Sequence, residues 1–113
     1  MSTPQLTPEQ QQDVQRFNQL AQQLEILKMQ IQQLEVEKRD VDSALKETET
    51  MASDVAIYRS VGRLLFKDSL ENVKKNLVSQ QEKGEVRISS LRNREQKITK
   101  SVKELQEKLI AKS

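Results

Sequence analysis

The chain contains no cysteine and no histidine. Those two absences together remove disulfides, thiol nucleophiles, the usual zinc ligands and the commonest general base. Only two glycines and two prolines punctuate its 113 residues, and Phe17, Tyr58 and Phe66 are its only aromatics. Apolar residues make up 35% of the chain, against roughly 45–50% in ordinary globular domains on a count that also includes Gly. So little apolar material cannot fill a compact core, and an elongated helical arrangement suits it better. Long hydrophobic runs are missing too: the longest run of large apolar side chains is Leu64-Leu65-Phe66, far short of the ~20 residues that cross a bilayer. With no recognisable signal or transit segment, the chain reads as soluble and cytoplasmic, with no membrane partner. No glycine-rich phosphate loop is present either, which argues against nucleotide binding, and no cofactor is expected.

What the chain does have is a heptad seam. Phe17, Leu20, Leu24, Leu27, Ile31, Leu34, Val41 and Leu45 recur at alternating steps of three and four. Leu77, Ile88, Leu91, Ile98, Val102, Leu105 and Leu109 repeat the habit after mid-chain. This spacing winds a narrow apolar stripe along a helix, the pattern of a coiled coil. A first helix is expected over 7–50. Thr7 is placed as its N-cap, Pro8 at the first helical position and Gln10 where it completes a capping box, with Glu9 and Asp13 suiting the positive helix end. Residues 1–6 read as a frayed tail. A second helix is expected over 68–111, with Asp68 as cap and Glu71 completing the box. Helices of that length need a coiled-coil partner, and an antiparallel hairpin supplies one within the chain. Seam then meets seam: Leu45 with Val73, Val41 with Leu77, Ile31 with Ile88, Leu27 with Leu91, Leu20 with Ile98, Phe17 with Val102. In that register Lys38 falls beside Gln80 and Gln81, either as a register-fixing polar layer or as a lysine reaching out to water. Gly84 falls opposite Leu34, either making room for it or as a tolerated defect.

Charge is distributed unevenly although the net value is only +2. Residues 7–50 hold nine acids and five bases, whereas 68–113 hold seven acids and eleven bases. Opposite signs on two helices suit them as partners, although scattered surface charge would look similar, and each such pair is weak.

Between the helices lies a different segment, 55–67. Ile57, Tyr58, Val61, Leu64, Leu65 and Phe66 favour strands, and Gly62-Arg63 suits a two-residue hairpin turn. A lone two-stranded hairpin is marginal in water and exposes two edges. The alternatives are packing on its own helices or assembly with other chains, and so much apolar surface in ten positions favours assembly. The fold expected is therefore mainly α: a long antiparallel two-helix coiled-coil hairpin in a single domain, 1–113, with one short β-hairpin at the helix connection.

Ile57-Tyr-Arg-Ser-Val-Gly-Arg-Leu-Leu-Phe-Lys67, set between two coiled-coil helices, resembles the hairpin of β-type prefoldin subunits. The resemblance covers the whole chain in architecture and about a dozen residues in specific sequence. An α-type subunit would carry two hairpins and a longer connection. Val61-Gly62-Arg63 followed by apolar residues and Phe66 resembles the eukaryotic subunit 1 more than an archaeal β subunit, and fifteen glutamines argue mildly against a hyperthermophile. The resemblance implies a hetero-hexamer of two α-type and four β-type subunits, with hairpins closing into β-barrels at a platform. It also implies ATP-independent holding of unfolded polypeptides at the coiled-coil tips, actin and tubulin among them in a eukaryote, and delivery to a group II chaperonin.

Two sites follow. The assembly site is Ile57, Tyr58, Val61, Gly62, Leu64, Leu65 and Phe66. The client site is the open end of the coiled coil, where Val14, Phe17, Leu20 and Ala21 meet Val102, Leu105, Leu109 and Ile110. Most of those eight are seam residues, so simple burial competes with function. Helix ends open easily, however, and off-seam Ile26, Met29 and Val36 would extend the surface. One rival is a structural or tethering coiled coil without a client. A second is nucleic-acid binding through the basic second helix, but its bases are interspersed with acids and lack a stacking aromatic face, so no nucleic-acid partner is expected. An enzyme is disfavoured because two paired helices offer no convergent pocket.

Overall fold

The computed structural model describes residues 5–111; of the expected tail, residues 1–4 lie outside the described residues. Helix α1 spans Pro8–Glu49, strands β1 and β2 span Ile57–Val61 and Leu64–Asp68, and helix α2 spans Leu70–Ala111. Two long helices with one small antiparallel hairpin between them is the fold that the periodicity predicts.

Local chemistry sets the boundaries. At the start of α1 the capping box is closed in both directions. The Gln10 backbone N–H donates to Thr7 Oγ1 at 3.1 Å, and the Thr7 N–H donates to Gln10 Oε1 at 2.9 Å. Two otherwise orphaned donors are satisfied reciprocally. The other end tightens before it stops. The Thr50 and Met51 N–H groups reach back only three residues, to the Glu47 and Thr48 carbonyls, and the buried Thr48 hydroxyl donates to Leu45 O at 2.6 Å.

The start of α2 differs from expectation. Ser69, not Asp68, is the cap: its Oγ accepts the Asn72 N–H at 3.1 Å and its carbonyl accepts the Val73 N–H at 3.0 Å. Asp68 closes β2 opposite Ile57, and its carboxylate accepts the Ser69 N–H at 2.8 Å. With the cap displaced by one residue, Glu71 is no longer at the position of a capping box. Asp68 is the last residue of β2 and helical backbone begins only at Leu70, so the cap position falls on Ser69.

The chain contains two compact units. One joins α1 up to Gln32 with α2 from Ser89 onward, and the other runs Gln33–Ile88. In the second, the helices run antiparallel. Lys38 Nζ lies 3.7 Å from Glu85 Oε1, and one turn further along α1 Asp42 Oδ1 accepts from Gln81 Nε2 at 2.7 Å, one turn back along α2. The Lys38 layer with Gln80 and Gln81 is not formed: Lys38 reaches outward to the exposed Glu85 carboxylate, and Gln81 pairs with Asp42 instead. A charged acceptor is the stronger partner for an ammonium, and the lysine stem is long enough to reach it. In the first unit, Lys108 near the end of α2 meets Glu9 and Asp13 at the start of α1, again antiparallel.

Burial follows the seam. Leu27, Ile31 and Ile88 are buried, and every other seam residue from Phe17 to Leu109 is half-buried, whereas Ile26, Met29 and Val36 are exposed. Gly84 lines a groove with Leu34 and Val41, but a Cβ there would meet nothing within 4 Å. Leu34 therefore does not require the missing side chain. Gly84→Ala is expected to stabilise the protein by about 1 kcal/mol through helix propensity, read as a raised unfolding midpoint; a lowered midpoint would mean that the gap is needed.

Candidate functional site

The hairpin is built around one glycine. Val61 pairs with Leu64 across Gly62-Arg63, and Gly62 has φ +60° while no non-glycine residue among those described has positive φ. Positive φ at the first central position alone is the type II′ turn, whose twist matches paired strands. The turn fixes the register: Ser60 opposite Leu65, Arg59 opposite Phe66, Tyr58 opposite Lys67 and Ile57 opposite Asp68. Alternation then puts Ile57, Val61, Leu64 and Phe66 with Arg59 on one face, and Tyr58 and Leu65 with Ser60 and Lys67 on the other.

Both faces are open. Leu65 is 70% exposed, Leu64 63% and Tyr58 62%, with Val61 and Phe66 near half and only Ile57 more covered. Met51 and Val55, in the connection entering β1, are exposed as well and extend the apolar area. Neither belongs to a periodic run, so spacing alone does not mark them as part of the surface. Among the described residues the sheet has two strands only, so each strand presents an outer edge of backbone donors and acceptors. The geometry offers apolar surface and strand edges together, the chemistry of chain-to-chain pairing.

In the other unit, Val14, Phe17, Leu20, Ala21, Val102, Leu105 and Leu109 are all half-buried and Ile110 is exposed at 65%. None reaches the burial of Leu27 at 4%. Lys108 lies among them. Its Nζ is 3.0 Å from Asp13 Oδ2 and 3.4 Å from Glu9 Oε1. The Lys108 pKa is raised above the ordinary 10.5, first by its close contact with the Asp13 carboxylate and the attraction between them, then by Glu9. A raised folded-state value means that the stabilisation is complete below pH 10.5 and is lost as pH climbs through the folded-state pKa. In the sequence Glu9 and Asp13 suit the positive helix end; their four-residue spacing, which puts both on one face, is the signal for a shared partner.

No group of three or more metal-ligating side chains occurs among the described residues, and no helix there is long and apolar enough to cross a membrane.

Comparison with known proteins places these features. Residues 11–113 match the family model described as prefoldin subunit. The prefoldin β subunit of Methanosarcina acetivorans is 34% identical over 107 residues, covering 95% of this chain and 92% of that one. The β subunit of Archaeoglobus fulgidus is 36% identical over 104 residues, covering 92% and 90%. The crystal structure of the prefoldin β subunit from Thermococcus strain KS-1 superposes with a TM-score of 0.88 at 27% identity, covering 96% of each chain. Prefoldin subunits are chaperone components with coiled-coil helices, and they assemble with other prefoldin subunits. By its family match, by its curated relatives and by the single type II′ hairpin between its two helices, the chain belongs to the prefoldin family as a β-type subunit.

Proposed function

We propose that the chain is one of four β-type subunits in a hetero-hexamer with two α-type subunits, joined through Ile57, Tyr58, Val61, Gly62, Leu64, Leu65 and Phe66. In this reading the helix tips hold unfolded polypeptides without ATP and deliver them to a group II chaperonin in the cytoplasm. Actin and tubulin are the clients if the source is eukaryotic, as the Val61-Gly62-Arg63 stretch suggests. Family membership supports assembly. Half-burial is shared with most of the seam, so the observation that supports holding is Ile110, 65% exposed beside the half-buried apolar residues at the helix ends. Holding without nucleotide requires contacts that form and release unaided, and apolar residues at helix ends with low local stability meet that need. Weak, non-directional apolar contact is also indifferent to client sequence.

The test removes the tips and keeps the hairpin. Deleting residues 1–17 and 103–113 is expected to spare incorporation into the complex and to reduce suppression of aggregation. The readout is light scattering when a denatured protein is diluted into buffer with the assembled complex and no ATP. The loss is expected to be partial and client-dependent, because other subunits contribute tips of their own. A truncated complex that matches the intact one across several unrelated clients would favour a purely structural coiled coil.

A further inference from the structure

One ammonium spans both helix ends in the unit that carries the tip residues. Glu9 and Asp13 are one turn apart on α1 and would repel each other if left alone. Lys108 of α2 faces both, at 3.4 and 3.0 Å. The Asp13 side chain is only 15% exposed, so water compensates poorly for loss of its partner. Helix dipoles reinforce the arrangement, since acids near the start of α1 and a base near the end of α2 each sit at the favourable terminus. Val14 and Phe17 follow these acids in α1, and Leu105 and Leu109 flank Lys108 in α2; all four are half-buried. Parting the ends to uncover them requires this ion pair to break. Arg16, Ser101 and Glu104 share a groove with Asp13, Leu105 and Lys108, so the surrounding surface is polar and accessible to salt.

We propose that Glu9, Asp13 and Lys108 form an ionic latch that sets how often this end of the helix pair opens, making client capture by this subunit sensitive to ionic strength. The proposal rests on the tip-holding reading above. It gives a graded control that needs no nucleotide: with the latch shut the apolar residues face each other, and with it weakened they face solvent for longer. A contact ion pair of this exposure is modest in effect and screened by salt, so it adjusts an opening equilibrium rather than locking it.

The experiment measures opening and capture separately on the assembled complex. Lys108→Met keeps the aliphatic stem and removes the charge. At low salt, backbone amides of 13–20 and 101–109 are expected to exchange with solvent about two- to fivefold faster than in the unaltered complex, with the hairpin amides of 57–68 unchanged. The difference shrinks as salt is added. Glu9→Gln and Asp13→Lys combined with Lys108→Glu, which reverses the closer pair without leaving two carboxylates face to face, slows exchange part of the way back, the helix dipoles now opposing the pair, an outcome that loss of packing alone would not give. Capture of a denatured protein at low salt rises with Lys108→Met. Exchange equal to that of the unaltered complex at low salt overturns the latch. Faster exchange with unchanged capture leaves the latch standing and overturns tip holding instead.

Discussion

Val61→Asp and Phe66→Asp are each expected to remove the chain from a complex with a co-expressed α-type prefoldin subunit while leaving its helix content intact. Val61, Leu64 and Phe66 share one face of the hairpin, and all three are about half exposed or more in the single chain. In isolation a carboxylate at either position meets water and costs little. In an assembled interface it loses its hydration without gaining a partner, a penalty of about 3 kcal/mol or more, equivalent to about a hundredfold weakening of association. The hairpin is joined to α1 by an exposed connection and to α2 through the Ser69 cap, and the side chains substituted are themselves about half exposed, so the change disturbs no buried helix contact. Far-UV circular dichroism should therefore be unchanged, and co-purification followed by mass measurement of the complex should show the loss. Val86→Asp is the control: it is more exposed still, at 70%, but lies on α2, and it should incorporate normally. Recovery of the two hairpin variants in full-sized complexes would exclude the hairpin as the assembly surface.

Leu27→Ala should be the most damaging single change to stability. Leu27 is 4% exposed, the lowest among the apolar side chains that form the core. A buried Leu→Ala substitution costs about 2–5 kcal/mol, from lost transfer energy plus the cavity left behind. With few buried neighbours to relax around it, a two-helix interface should fall toward the lower half of that range, which is still a large share of the stability of a domain this small. Met29→Ala, two residues away but 65% exposed, should change stability by less than about 0.5 kcal/mol. Urea unfolding followed by circular dichroism resolves the pair. Similar midpoints for both variants would mean that the seam is not the stabilising contact.

The contrast between Leu27 and Met29 shows how much the sequence carried. Steps of three and four put Leu27 and Ile31 inside and Ile26, Met29 and Val36 outside, and the structure agrees at each of them. Burial on a helix follows from residue spacing alone once one face is covered. The hairpin was legible for a similar reason. Gly62 is the only residue between two strand-prone runs that adopts a left-handed conformation without strain, and its place dictates the entire Ile57–Asp68 register. Less legible was the start of α2, where Asp68 and Ser69 are both competent caps. Strand pairing, a nonlocal condition, took Asp68 and left the cap to Ser69.

The sequence by itself determined the helices, the capping box of α1 at Thr7 and Gln10, the turn at Gly62 and the apolar character of the hairpin. Each of these depends on residues within a few positions of one another, where propensity, spacing and hydrogen-bond reach are set by covalent connection. Only the tertiary structure decided that Lys38 meets Glu85, that Gln81 meets Asp42, and that Lys108 closes on Glu9 and Asp13. Heptad periodicity states which side of a helix faces its partner. It says far less about which long, flexible polar side chains along the flanks find each other. Those partners depend on the axial offset and rotation of two helices whose contacting residues are separated by up to 99 positions (Glu9 to Lys108), and that geometry exists only once the chain has folded back on itself.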